Sequence, residues 1–299
     1  MGKTKFKTIV AAIIAYSFLC ILTGCARIHE IDIHKTKLEK AHVGDITIAY
    51  KVFGEGYPLV LIMGYSGTMD FWQSQVLTEL SRRYRVIIFD NRGMGKTTSS
   101  QEPFSIEQFA DDTAGLLDVL GIAKAHVLGW SMGTTIAQEL ALRHPEKVNK
   151  LILYAADCGG KEMIQPSAEV AQAMFDTSGT EVERGKRLLK TMFPEKWLKD
   201  NPDPRTYFPS VTGSSSAENI RYQWEAMEKW SGTYSRLKRI KQSTLVITGT
   251  EDANTPPANS LILIKEIPGA WLVQIKEAGH GLMYQYPEEF SRIVLLFLA

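Results

Sequence analysis

The chain has 299 residues, with 34 Lys+Arg against 33 Asp+Glu, 44% hydrophobic and 22% charged residues. That ordinary balance excludes wholesale disorder, a fibrous repeat and a polytopic membrane protein. A formal charge of +1 gives no electrostatic reason to expect nucleic acid, and three cysteines without a CxxC or Cys/His cluster give neither a disulfide framework nor a metal site.

At the N-terminus, Lys3, Lys5 and Lys7 precede an apolar run from Ile9 to Leu22. A basic start and a run this short predict a secretory signal over residues 1–24, with an uncleaved signal anchor as the alternative. The tetrad Leu22-Thr23-Gly24-Cys25 resembles a bacterial lipobox. That resemblance implies cleavage before Cys25, acylation of Cys25 and a product held on a lipid bilayer of the cell envelope. Losing residues 1–24 removes three lysines and no acid, which leaves a formal charge of −2. Cys158 is then a lone thiol, read as buried and inert. Residues 25–40 are polar and mixed in charge, and read as a tether.

Two strand-like runs follow, Lys40–Val43 and Ile46–Val52, with Gly44-Asp45 as a hairpin signal between them. The buried-looking run Pro58–Met63 ends in Gly64. A helix is predicted over 70–83, then a strand over Arg85–Asp90 and a Gly/Ser/Thr-rich loop over 91–101, read as a surface loop. Ser105 stands where a helix cap belongs, ahead of a periodic helix to about Leu120. A strand at Ala125–Leu128, a helix from about Thr134 to His144 and a strand at Lys150–Tyr154 come next. Residues 159–237 show helical periodicity broken by Pro166, Pro194, Pro202, Pro204 and Pro209, with no strong strand. Alternation returns with Ser243–Thr248, a helix near 257–267, the strand Trp271–Ile275 and a last helix near 287–298. Apolar strands alternating with helices imply an α/β fold, a mostly parallel central sheet covered by helices on both faces. The expected organisation is a core of residues 41–158 and 238–299 with residues 159–237 inserted as a helical cap.

Gly129-Trp130-Ser131-Met132-Gly133 is a GxSxG that follows a strand and opens a helix. That setting is the nucleophile elbow: a sharp strand-to-helix turn lifts the serine hydroxyl above the sheet edge, and flanking glycines let the chains close up. The alternative is a glycine-rich turn without chemistry. With the elbow stand four further blocks: LVLIMGYSGTMDFW at 59–72, FDNRGMGKTTSS at 89–100, VITGTEDANTP at 246–256 and EAGHGLMYQYPEEF at 277–290. Over residues 40–299 the chain resembles the α/β-hydrolases, of the capped esterase and lactonase type.

A serine hydroxyl needs a general base, and the base needs an orienting carboxylate. Among six histidines, His29 and His34 lie in the tether, His42 in the first strand and His126 in a central strand, read as a satisfied core residue. His144 closes a helix. His280 alone follows a late strand, between two glycines, ahead of the final helix. The resemblance implies the order Ser, Asp, His, which makes His280 the base. Asp252 and Asp157 both follow strands in the right interval. The resemblance favours Asp252, because relatives commonly carry Gly-x-x-Asp there, and chain order alone leaves both open. The resemblance further implies two backbone donors for a developing oxyanion, at Met132 and, from the loop after the strand at 59–63, at Tyr65. Where many relatives carry His-Gly, this chain has Met63-Gly64.

Gly95-Lys96-Thr97 mimics a phosphate-binding loop but has Asp90 where the first glycine belongs. Arg92 is expected to pair a carboxylate. No GxGxxG or HExxH suggests a dinucleotide or zinc, and no cofactor or metal is expected. Cap aromatics Trp197, Tyr207, Phe208, Trp224, Trp230 and Tyr234 are expected mostly to pack, with a minority lining an acyl pocket. The expected activity is hydrolysis of a small-molecule ester or lactone through an acyl-enzyme. The alternatives are the same triad acting on an amide or C–C bond or forming peracids, and a non-catalytic binding protein on this scaffold. Dehalogenases and epoxide hydrolases of this fold carry Asp at the elbow, where Ser131 stands.

Overall fold

Short, near-continuous apolar runs build most of the eight strands among the described residues. The computed structural model describes residues 30–99, 103–176, 178–213 and 215–299. Strands β1 (Glu39–Val43) and β2 (Ile46–Phe53) form an antiparallel hairpin whose turn needs Gly44 at φ +55°. They precede β3 (Tyr57–Ile62), β4 (Tyr84–Phe89), β5 (Ala125–Trp130), β6 (Val148–Tyr154), β7 (Ser243–Gly249) and β8 (Trp271–Ile275). The order across the sheet is β1-β2-β4-β3-β5-β6-β7-β8. β2 pairs antiparallel with β4, and every later pairing is parallel.

Alternate strand residues enter opposite layers. Val60, Ile62, Val127, Leu151, Leu153 and Val246 join one apolar cluster. That cluster includes residues of α2 (Ile106–Val119), α3 (Met132–Arg143) and α8 (Ala258–Glu266). Their strand neighbours Leu59, Leu61, Leu128, Ile152 and Ile247 are equally buried but stand outside it. α1 (Ser74–Ser81) and α10 (Pro287–Leu298) pack on each other away from that cluster. Between β6 and β7 run α4 (Ala168–Phe175), α5 (Glu181–Met192), α6 (Glu195–Asp200) and α7 (Ala217–Lys229), with no strand among the described residues. A short α9 (Leu282–Gln285) precedes α10.

Several boundaries differ from the sequence reading for physical reasons. The helix expected over 70–83 is broken at Trp72 and Gln73, both extended. Before the break, the Met69 N–H donates to Asp90 Oδ1 at 2.7 Å. After it, the Gln73 side chain caps α1 by accepting from the Val76 N–H. The tether drawn through residue 40 ends earlier. The compact unit begins at Asp32, Ile33 is 3% exposed, and Lys51 Nζ donates to the Ile33 carbonyl at 2.6 Å. The loop after β4 is no surface loop at its start, since Asn91, Arg92, Gly93 and Met94 are all buried. His126 is buried beside Tyr57 and Tyr84, yet its Nδ1 has no partner, and burial pushes its pKa down to about 4. Cys158 is buried, and burial raises its thiol to about 12. The signal over 1–24 and lipidation at Cys25 lie outside the described residues, among which no helix is long and apolar enough to cross a membrane.

Arg92 is 3% exposed and grips two carboxylates at once. Its Nε and Nη2 donate to Asp112 at 2.8 and 2.6 Å, and its Nη1 and Nη2 to Asp45 at 2.9 and 2.8 Å. One guanidinium thus ties the β1–β2 turn, the loop after β4 and α2. Replacing it strands the buried Asp112 charge. Arg92→Met should therefore lower unfolding free energy by about 3–5 kcal/mol in urea titration. Asp45→Ala, on the half-exposed side, should cost much less.

Candidate active site

Ser131 is the single residue between β5 and α3, at φ 55° and ψ −125°. Such geometry costs a non-glycine residue about 1–3 kcal/mol and persists only where the surroundings impose it. Here they do. The Ser131 N–H donates to the Tyr154 carbonyl at 3.0 Å, and its own carbonyl accepts from the Thr134 N–H at 2.8 Å. A Cβ on Gly129 would stand 2.3 Å from the Gly133 carbonyl oxygen, and one on Gly133 only 2.1 Å from that of Ile62. Both positions must be glycine for the strand, the turn and the neighbouring strand to meet. Ser131 makes no side-chain capping bond to α3, which leaves its hydroxyl for other work.

His280 sits between β8 and α9, 4% exposed. Its Nδ1 lies 3.0 Å from both carboxylate oxygens of Asp252, itself 3% exposed. Asp252 Oδ1 also accepts the Thr255 N–H at 2.8 Å. The two loops are stitched by the Glu251 N–H donating to the Ala278 carbonyl at 2.8 Å and the Thr250 N–H to that of Ile275 at 2.9 Å. The sequence left Asp252 and Asp157 open. In the structure only Asp252 bonds the imidazole. Asp157 Oδ1 accepts the Gly159 N–H at 2.8 Å, and burial raises its carboxyl to about 6.

Sequence reading missed Tyr154. Its hydroxyl donates to the His280 carbonyl at 2.5 Å and accepts the Met283 N–H at 3.2 Å. Its ring stacks on Trp130, interplanar angle 7°. The position at the end of β6, level with the elbow, was the only available signal. Gln223 of α7 was missed too. Its Oε1 accepts the Ser66 N–H at 2.8 Å, across 157 residues of chain, and holds Ser66 at φ 56°.

Ser131 and His280 face one cavity of about 510 Å³, walled by Met63, Phe71, Trp130, Leu188 and Phe208. Ser131 and Met132 also wall a second cavity of about 900 Å³. Tyr65, Ser131, Met174, Asp176 and Asn254 border both. No hydrogen bond joins Ser131 to His280 in this structure. Of the cap aromatics, Phe208, Trp224 and Trp230 border the cavities. Trp197 and Tyr207 pack on Phe193, and Tyr234 packs on the core cluster. Among the described residues, no group of His, Cys, Asp and Glu could hold a metal ion.

Gly64 packs directly against the elbow. A Cβ there would stand 3.0 Å from the Trp130 carbonyl oxygen and 3.1 Å from Ser131 Cβ. Gly64→Ala must push the 64–67 loop off the serine. It should slow fluorophosphonate labelling of Ser131 by up to about a hundredfold, the scale for misplacing a reacting group by about 1 Å. The variant's circular dichroism should match the parent's.

The chain is 29% identical to the putative carbamate hydrolase RutD of Azorhizobium caulinodans over 266 residues, 86% of this chain and 97% of that protein. It is 32% identical to the putative non-heme bromoperoxidase BpoC of Mycobacterium tuberculosis, over 85% of this chain and 98% of that one. The solved enol-lactonase from Burkholderia xenovorans LB400 superposes with a TM-score of 0.76 at 26% identity, covering 87% of this chain and 99% of that one. A family profile described as the alpha/beta hydrolase fold matches residues 57–287. The chain belongs to the α/β-hydrolase fold family.

Proposed function

We propose that this protein is a serine hydrolase that cleaves a small carboxylic ester or lactone through an acyl-enzyme. The observation that carries the reading is the buried Asp252–His280 pair bordering the cavity that Ser131 enters from its strained turn. Asp252 holds the Nδ1–H tautomer, which leaves Nε2 as the base. His280 takes the Ser131 proton as the hydroxyl oxygen attacks the carbonyl carbon. The resulting oxyanion is met by the backbone N–H groups of Met132 and Tyr65. His280 returns the proton to the leaving alcohol, then activates a water that splits the acyl-enzyme. None of these steps calls for a cofactor. The closeness of Gly64 to Ser131 supports Tyr65 as the second donor, because Tyr65 is the next residue in that loop.

The same triad passing its acyl group to hydrogen peroxide in place of water, which releases a peracid and free Ser131, is the second reading, favoured by the likeness to a putative non-heme bromoperoxidase. Adding a carboxylic acid, peroxide and bromide with a dye that hypobromite brominates separates the two. For the N-terminus the proposal is export and anchoring through an acylated Cys25, supported by the Leu22-Thr23-Gly24-Cys25 tetrad.

Three substitutions test the mechanism on a nitrophenyl ester panel. Ser131→Ala should abolish fluorophosphonate labelling and turnover. Asp252→Asn should lower kcat by about 10³–10⁴, as expected when the imidazole loses its orienting acid. Asp157→Asn should lose far less, and collapse there with near-normal Asp252→Asn would reverse the assignment. For the anchor, cells fed labelled palmitate should mark the parent chain and not Cys25→Ala.

A further inference from the structure

The larger cavity beside Ser131 carries a one-sided set of polar groups. Asp157, Asp176 and Glu228 border it, and among the described residues no Lys, Arg or His does. Asp176 is offset from behind by Arg187, Nε to Oδ2 3.3 Å. Among the described residues Asp157 has no Lys or Arg counter-ion; it accepts the Gly159 N–H, and His280 is near enough to favour its charged form. A carboxylate in that position attracts positive charge.

A second observation is independent of the acids. Asn254 borders both cavities and is 7% exposed. Its Nδ2 lies 3.9 Å from Met192 Sδ, a thioether that can only accept. The carboxamide oxygen is therefore the other end of the group, and it is buried without a hydrogen-bond partner. A buried acceptor left unpaired costs about 1–3 kcal/mol, which a donor supplied by a ligand would recover. Beside it stand the rings of Tyr65 and Trp224, edge to face with centroids 6.1 Å apart. Aromatic faces also favour cations.

We propose that the larger cavity is a subsite for a protonated amine, so that the preferred substrate carries an ammonium group on one side of its scissile carbonyl. This rests on the serine-hydrolase reading above. The ammonium donates to Asn254 Oδ1 and to Asp157, with the aromatic rings covering its alkyl stem. The smaller cavity, which Arg184 also borders, takes the other side of the ester.

Two isosteric pairs test it at neutral pH, one for each side of the carbonyl: phenyl 6-aminohexanoate against phenyl heptanoate, and 5-aminopentyl acetate against hexyl acetate. In one pair the parent enzyme should favour the charged ester in kcat/KM by about tenfold, the scale of a desolvated cation contact. Asp157→Asn and Asn254→Leu should each move that ratio towards one, and Asn254→Leu serves if Asp157→Asn fails to fold. Equal or better turnover of the neutral ester in both pairs overturns the subsite while leaving the hydrolase intact. A preference that survives both substitutions overturns it as well. Loss of all ester turnover, with no fluorophosphonate adduct at Ser131, overturns the hydrolase reading and the subsite together.

Discussion

Everything at the site depends on backbone crowding around one turn. β5 must end, reverse its backbone at Ser131 and start α3 within a single residue, against the end of β3. The chain segments approach so closely that a methyl group at Gly129 or Gly133 would overlap a carbonyl. Strain at the serine is held by hydrogen bonds from β6 and α3 and by the packed strands behind it. The turn lies at the carboxyl ends of parallel strands, where loops from β3, β6, β7 and β8 converge. Those loops bring Gly64, Tyr65, Asp157, Asp252 and His280 to one end of the sheet.

Much of this was legible in the sequence because the signals are local. Strand and helix periods, the Ser105 cap and the GxSxG between a strand and a helix each depend on a few adjacent residues. The order Ser, Asp, His then narrowed the base to one histidine. What stayed hidden depends on distance in the fold. The choice between Asp252 and Asp157 turns on which carboxylate reaches Nδ1, and spacing along the chain does not encode that. Tyr154 reads as the last residue of a buried strand, and nothing nearby marks its hydroxyl as the clamp on the histidine loop. Gln223 reads as one polar residue on an amphipathic helix, although its partner is 157 positions away.

Tyr154 and Gln223 share a property with Asp90 and Arg92. They are polar groups placed inside apolar walls, where a missing partner is costly and a correct one fixes geometry. Tyr154 fixes the carbonyl of His280, Asp90 fixes Met69 and Lys96, and Arg92 fixes two elements against a third. Around them the aromatic rings of Trp130, Tyr154, Tyr284 and His280 make one packed layer. Orientation of the imidazole is thereby set partly by Tyr154 and Tyr284, which do not wall the cavity, and partly by Trp130, which does.

The bond from Ser66 to Gln223 joins the loop after β3 to a helix of the segment between β6 and β7. Two further bonds, Asn219 to the Gly93 carbonyl and Thr212 to Asp70, fasten the same stretch. If α7 lifts to admit a ligand, Ser66 is released, and the backbone next to the serine relaxes with it. Roof and elbow are thereby coupled mechanically, through one amide side chain that spans 157 positions of sequence.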